Sequence, residues 1–103
     1  MVALFVDDEK QIEWYGLPPE THIARSLKYA VDMWMSNNYD TLYLDHDLGL
    51  VGYKISGQHL RDGSMFLSYI CGAGKPPKQE YCISLNPAGI KRIYWAAADF
   101  NIP

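Results

Sequence analysis

Asp7-Asp8 and Asp45-His46-Asp47 hold most of the chemistry that this chain of 103 residues could perform. Each acidic group ends a short apolar run, Val2–Val6 in the first case and Leu42-Tyr43-Leu44 in the second. Clustered carboxylates repel one another and need a counter-charge, and hard divalent cations such as Mg²⁺ or Mn²⁺ supply one through oxygen ligands. Asp7, Asp8 and Asp45 are therefore candidate metal ligands. For Asp7 or Asp8 the alternative is a cap on the turn after the strand. His46, flanked by two acids, suits a general acid or base, a metal ligand or a turn residue bonded to backbone. Asp47 either positions a water molecule or closes an Asx-type turn with Gly49. Ser84 and the free amides of a helix beginning at Asn86-Pro87 could hold an anion. The competing role for Ser84 is a buried hydroxyl bonded to backbone, and for Asn86 a helix N-cap. His22 and His59 have no partner visible in the sequence and read as surface or structural residues.

These groups need elements that carry them to one place. The apolar runs at 2–6, 21–25, 41–45 and 80–85 have the length of strands in a buried parallel sheet. Between them lie helical patterns. Ser26 can cap a helix with Leu27, Ala30, Val31 and Trp34 on one face, ended by Asn37-Asn38. Asp62 can cap a second, with Leu67, Ile70 and Cys71 buried and Gly72 and Gly74 stopping it. Asn86-Pro87 starts a third, with Ile90, Ile93, Tyr94 and Ala97 as its stripe, running to about residue 100. Residues 9–20 carry Gly16, Pro18 and Pro19 and read as a loop with one turn near 12–15. Residues 48–60 read as a long loop, a candidate lid over the acidic cluster. Strands alternating with helices imply right-handed crossovers and a parallel sheet in the order 2-1-3-4. The order reverses between strands one and three, and ligands bind at such a crevice, beyond the carboxyl ends of the strands. Asp7, Asp8, Asp45 and Asp47 would converge there.

Composition removes several function classes. The length fits one domain, residues 1–103, with a single core. Hydrophobic residues make up 49%, which argues against disorder. The net charge of −3, without a Lys/Arg cluster, argues against binding a nucleic-acid duplex. No apolar run approaches the length of a membrane helix and no signal-peptide pattern opens the chain, so no membrane association and a cytoplasmic location are expected. Cys71 and Cys82 fall in different elements and read as two buried thiols.

The same residues carry a family resemblance. Asp7-Asp8-Glu9-Lys10 is similar to an Asp-Asp-x-Arg start, and Leu44-Asp45-His46-Asp47-Leu48-Gly49 matches a Leu-Asp-His-Asp-Leu-Gly signature. Asp62-Gly63 and Ser84-x-Asn86-Pro87-x-Gly89 resemble later Asp-Gly and Ser-x-Asn-Pro-x-Gly motifs. In order and at suitable spacing, these resemble the cyclic-phosphate processing receiver domain, a variant of response-regulator receivers. The resemblance implies a small flavodoxin-like α/β three-layer sandwich, which this chain is expected to carry truncated at the fifth strand. It also implies an acidic pocket for Mg or Mn and a link to cyclic-phosphate or nucleotide chemistry. Lys10 then joins Ser84 and Asn86 as a substrate-binding candidate, with His46 and Asp47 as the catalytic pair. Two departures stand out. Ile83 precedes Ser84 where the family commonly has His. No lysine from a fifth strand is available to neutralise a phosphorylated Asp45, so stable phosphotransfer to Asp45 is not expected. Two functions follow: a metal-dependent phosphate-ligand-binding or phosphoesterase-like domain, or a non-enzymatic module contacting a protein partner through Tyr53, Tyr94, Trp95 and Phe100. The second would suit an accessory or inhibitor protein of a phage or mobile element. Substrate, partner and oligomeric state are not encoded in any motif.

Overall fold

The computed structural model describes residues 3–49 and 52–102. In chain order its strands are β1 (Ala3–Val6), β2 (His22–Ala24), β3 (Thr41–Leu44), β4 (Tyr53–Ile55), β5 (Gln58–Leu60) and β6 (Gln79–Cys82). The helices are α1 (Leu27–Ser36), α2 (Gly63–Gly72) and α3 (Pro87–Asp99). The main sheet is parallel in the order β2-β1-β3-β6, the expected order with β6 as its fourth strand. The architecture is receiver-like.

Register explains which side of the sheet carries which layer. Val6 lies beside Ala24 and Leu44, and Leu4 beside Leu42. These residues form one core with Leu27, Ala30, Val31 and Trp34 of α1, Phe66, Leu67 and Ile70 of α2, and Ile93, Ala96 and Ala97 of α3. All three helices therefore cover the same face. The opposite face presents the row Ile23, Phe5, Tyr43, Tyr81. There the second outer layer is the 9–20 segment, whose single 3-10 turn, Ile12–Tyr15, packs Ile12 with Phe5 and Ile83. Gly16, in the left-handed region, and the Pro18-Pro19 pair keep this segment from extending as a helix. Side chains as large as Trp34 and Phe66 each contribute roughly 1.5–3 kcal/mol by leaving water, so Phe66→Ala would cost about 3–5 kcal/mol.

The helix starts are those the sequence marks. Ser26 Oγ accepts from Tyr29 N, Asp62 Oδ1 from Met65 N, and Asn86 Oδ1 from Ala88 N. At the far end of α1, the Lys75 ammonium donates to the carbonyls of Met35 and Asn37, satisfying groups that the helix leaves open. No helix among the described residues is long and apolar enough to cross a membrane.

Four expectations need correction. Residues 53–60 are not loop. They form the antiparallel hairpin β4–β5, turned by Ser56 and Gly57, both at positive φ (51° and 78°). Two successive positive-φ residues are the geometry that two-residue hairpins require, and serine in place of Asn or Asp hides the signal. The hairpin packs Leu60, Tyr53 and Ile55 onto the main core, so it is no lid; Leu50 and Val51 lie outside the described residues. The fourth parallel strand closes at Cys82, since Ser84 turns the chain by accepting from Asn86 N. In α3 the buried positions are Gly89, Ile93, Ala96 and Ala97, while Ile90 and Tyr94 are exposed. Finally, Cys71 is buried but Cys82 is exposed, and neither is in a disulfide.

Candidate functional site

The carboxyl ends of β1 and β3 lie side by side, with Asp45 N bonded to Val6 O, and each strand delivers an acid as its pairing ends. Asp7 is fully buried. Its Oδ1 accepts from Glu9 N (2.9 Å) and Lys10 N (2.7 Å), the Asx-type turn weighed for it. Capping by main-chain amides uses only Oδ1, and Asp7, Asp8 and Asp45 each place a carboxylate oxygen within 4.8 Å of the other two. Asp8 is exposed, so the cluster opens to solvent on that side. The three carboxylates meet where the strand order reverses.

The turn that caps Asp7 also brings Lys10 back over the acids. Its ammonium donates to Asp7 Oδ2 at 3.0 Å and lies 3.5 Å from Asp45 Oδ2. Burial alone would push the Asp7 carboxyl up, but the amides of Lys10 and Glu9 and the Lys10 ammonium outweigh it and hold it below the usual range. Asp45 has no such surplus of donors. Burial and the Asp7 charge raise its carboxyl against the opposing pull of Lys10 and of His46 N, which donates to Asp45 Oδ1 at 2.8 Å. Burial pulls the Lys10 ammonium down, but Asp7 and Asp45 hold it protonated above its ordinary value. Two carboxylates and one ammonium thus share a poorly hydrated site, and the acids remain under-neutralised.

Lys10 therefore faces the acids, as a tethered cation. It also overturns the expectation that no lysine stands near Asp45. The sequence places such a residue only on a fifth strand, whereas the fold supplies it from the turn after the first. Arg25 is a residue the sequence reading passed over. Its guanidinium donates to the carbonyl oxygens of Lys10 and Asp7 and so braces the turn that carries Lys10. The signal was a lone basic residue ending the strand beside that turn.

His46 stands apart from the acidic trio, with its ring between the starts of α2 and α3. Nδ1 lies 3.0 Å from Asp47 Oδ1 and Nε2 3.3 Å from Asp62 Oδ2. A Cβ on Gly89 would come within 2.6 Å of His46 Cβ and Cγ, and one on Gly63 within 1.9 Å of the Asp45 carbonyl oxygen. Both glycines are there so that two helix starts can close on the Asp45-His46 backbone. Asp47 is exposed and hydrogen-bonded by His46 and by Asn86 Nδ2 at 3.3 Å. The His46 bond leads in holding its carboxyl low. Asn86 thus serves as N-cap and as a tie to Asp47. Ser84 is buried, its Oγ accepting from Asn86 N at 3.1 Å. The outcome is two adjoining regions: Asp7, Asp8, Asp45 and Lys10 in one, His46, Asp47, Asp62 and Asn86 in the other, with Ser84 beneath the second.

His22 bonds the Tyr39 hydroxyl, and the His59 ring lies where a side chain on Gly52 would stand. Three hard oxygen donors fit Mg²⁺ or Mn²⁺ better than a softer metal. The model of the cyclic-phosphate processing receiver domain matches residues 2–99. No curated protein and no solved structure matches the chain.

Proposed function

The chain belongs to the cyclic-phosphate processing receiver family, and we propose that its acidic pocket binds a phosphate-containing small molecule, a cyclic phosphate or nucleotide, with Mg²⁺ or Mn²⁺. The observation that carries this reading is the convergence of Asp7, Asp8 and Asp45, left under-neutralised by one ammonium. Those three residues would hold the ion, which would supply positive charge to a phosphoryl oxygen. Lys10 is the one side-chain cation paired with the cluster's carboxylates among the described residues and would swing from the acids to a phosphate oxygen. Asp47, ionised and exposed, would orient a water molecule. His46 would act through Asp47 as a positioning residue. In the first turn of α3 Pro87 has no N–H and Ala88 N is taken by Asn86 Oδ1, so Gly89 N is the amide left for the anion.

In such a reaction the water oxygen forms a bond to phosphorus and one ring P–O bond breaks. The proton of the water passes by way of Asp47 to the departing oxygen, giving an open monoester. The test is a panel of cyclic mono- and dinucleotides with Mn²⁺ or Mg²⁺, scored for cleavage and for thermal shift. The expected result is binding or slow opening of at least one member, lost in Asp45→Ala and Asp7→Ala. No shift and no turnover with any member would overturn it.

One observation favours a second reading, a protein-interaction module. Tyr94 and Trp95 are 70% and 61% exposed, and neither belongs to the acidic site. Alanine at either position should then weaken a partner by about 2 kcal/mol at a true hot spot, while Asp45→Ala should leave that affinity unchanged.

A further inference from the structure

Strand β6 is an edge of the parallel sheet, bonded on one side to β3 and on the other to no strand among the described residues. Gln79 N donates to Asp40 O and Ile83 N to Leu44 O. Alternate residues of a strand turn their main-chain groups to opposite neighbours, so those of Glu80 and Cys82 face the open edge. The side chains of the same two residues belong to an apolar groove of about 290 Å³, walled by Ile90, Ile93, Tyr94 and Ala97 of α3. At its floor Glu80 Oε1 is buried without a hydrogen-bond partner among the described residues. Burial pushes this carboxyl up to about 7. Buried acceptors are nearly always satisfied, so an orphaned one at the base of a groove marks a missing donor.

We propose that this edge accepts an extended peptide segment, paired to the outward main-chain groups of Glu80 and Cys82, with apolar side chains in the groove and one lysine or arginine on Glu80. Main-chain pairing would supply affinity, and the groove would select every second side chain. A basic residue is the partner that turns the cost of the lone buried carboxylate into a charge-assisted bond. Charge also argues against a second copy of this chain as the occupant. Antiparallel pairing of two β6 strands would set two Glu80 carboxylates on the same face of neighbouring strands, where like charges destabilise. The proposal does not rest on the acidic cluster: Glu80 and the α3 residues of the groove are not among its members.

The probes are blocked nonapeptides of alternating threonine and valine, with one central valine replaced by lysine, glutamate or alanine. Binding is read by titration and by amide hydrogen exchange of the whole chain. The lysine peptide should bind saturably and slow exchange at Glu80 and Cys82. The glutamate peptide should bind at least tenfold more weakly. Glu80→Gln, which keeps the shape and loses the charge, should weaken the lysine peptide at least fivefold and leave the alanine peptide unchanged. Equal binding of the lysine and glutamate peptides, or protection elsewhere than at these amides, would overturn the proposal. So would a dimer in sedimentation whose Glu80 and Cys82 amides are already protected.

Discussion

The acidic cluster and the His46 clamp stand on consecutive residues of one strand end, yet they solve opposite problems. Around His46, each neighbour has a geometric duty. Asp47 and Asp62 face its two ring nitrogens, and Asn86 ties Asp47 to α3. Gly63 and Gly89 leave room for the close approach. Around Asp45, the neighbours leave charge unbalanced: three carboxylates meet and one ammonium answers them. The His46 ring is held chiefly by close packing, for its Nε2, though 3.3 Å from Asp62, is buried without a hydrogen-bond partner among the described residues, whereas the acids are held together at the cost of unbalanced charge. The difference separates within one motif a ring enclosed by two glycine-bearing helix starts from a carboxylate in a cluster of excess charge.

The comparison breaks most visibly at the glycines. Gly63→Ala would drive a methyl into the Asp45 carbonyl oxygen. It should cost about 3 kcal/mol or more in urea unfolding, equally with and without Mn²⁺. A wild-type midpoint for this variant would remove the close packing on which the clamp rests.

Glu80, outside both regions, calibrates what an unbalanced carboxylate costs. Its folded value of about 7 lies above the ordinary 4.5. The stability tied to its neutral form is thus complete below about pH 4.5 and is lost as the pH rises through 7. Glu80→Gln should stabilise the protein by roughly 2 kcal/mol at pH 8, the full shift being reduced by solvent screening, and by nothing at pH 4. A pH-independent difference would contradict the assignment.

Asp45→Asn should act with the opposite sign to the clamp variants. Asp45 is raised by burial and by Asp7, so its contribution also fades as the pH rises. Without divalent ion, the amide should raise stability at pH 7, and it should abolish any Mn²⁺-induced rise in melting temperature. An equal ion shift in wild type and variant would place the ion elsewhere.

The smallest effect is expected at Lys10. Lys10→Met removes the tethered cation and should lower ion-free stability by about 0.5–1 kcal/mol while enlarging the Mn²⁺ shift. A smaller shift in the variant would mean that Lys10 assists the ion rather than competing with it.

Much of this was determined by the sequence alone. Short apolar runs ending in acid, caps at Ser26, Asp62 and Asn86, and alternating strand and helix signals yield the receiver-like parallel sheet, its order and the meeting of Asp7, Asp8 and Asp45. Each rests on local propensity or on the handedness of crossovers, which a linear pattern encodes. Tertiary structure decided the rest. The side on which each helix packs, the hairpin hidden behind Ser56-Gly57, the return of Lys10 onto Asp45 and the enclosure of His46 by Gly63 and Gly89 are contacts between distant segments or choices of backbone torsion. Residue type leaves them open. His46 and Asp45 are neighbours in the chain and equally polar. Only the arrival of two helix starts on one side, and of the Lys10 turn on the other, makes the first a ring enclosed by close packing and the second a carboxylate in a cluster of unbalanced charge.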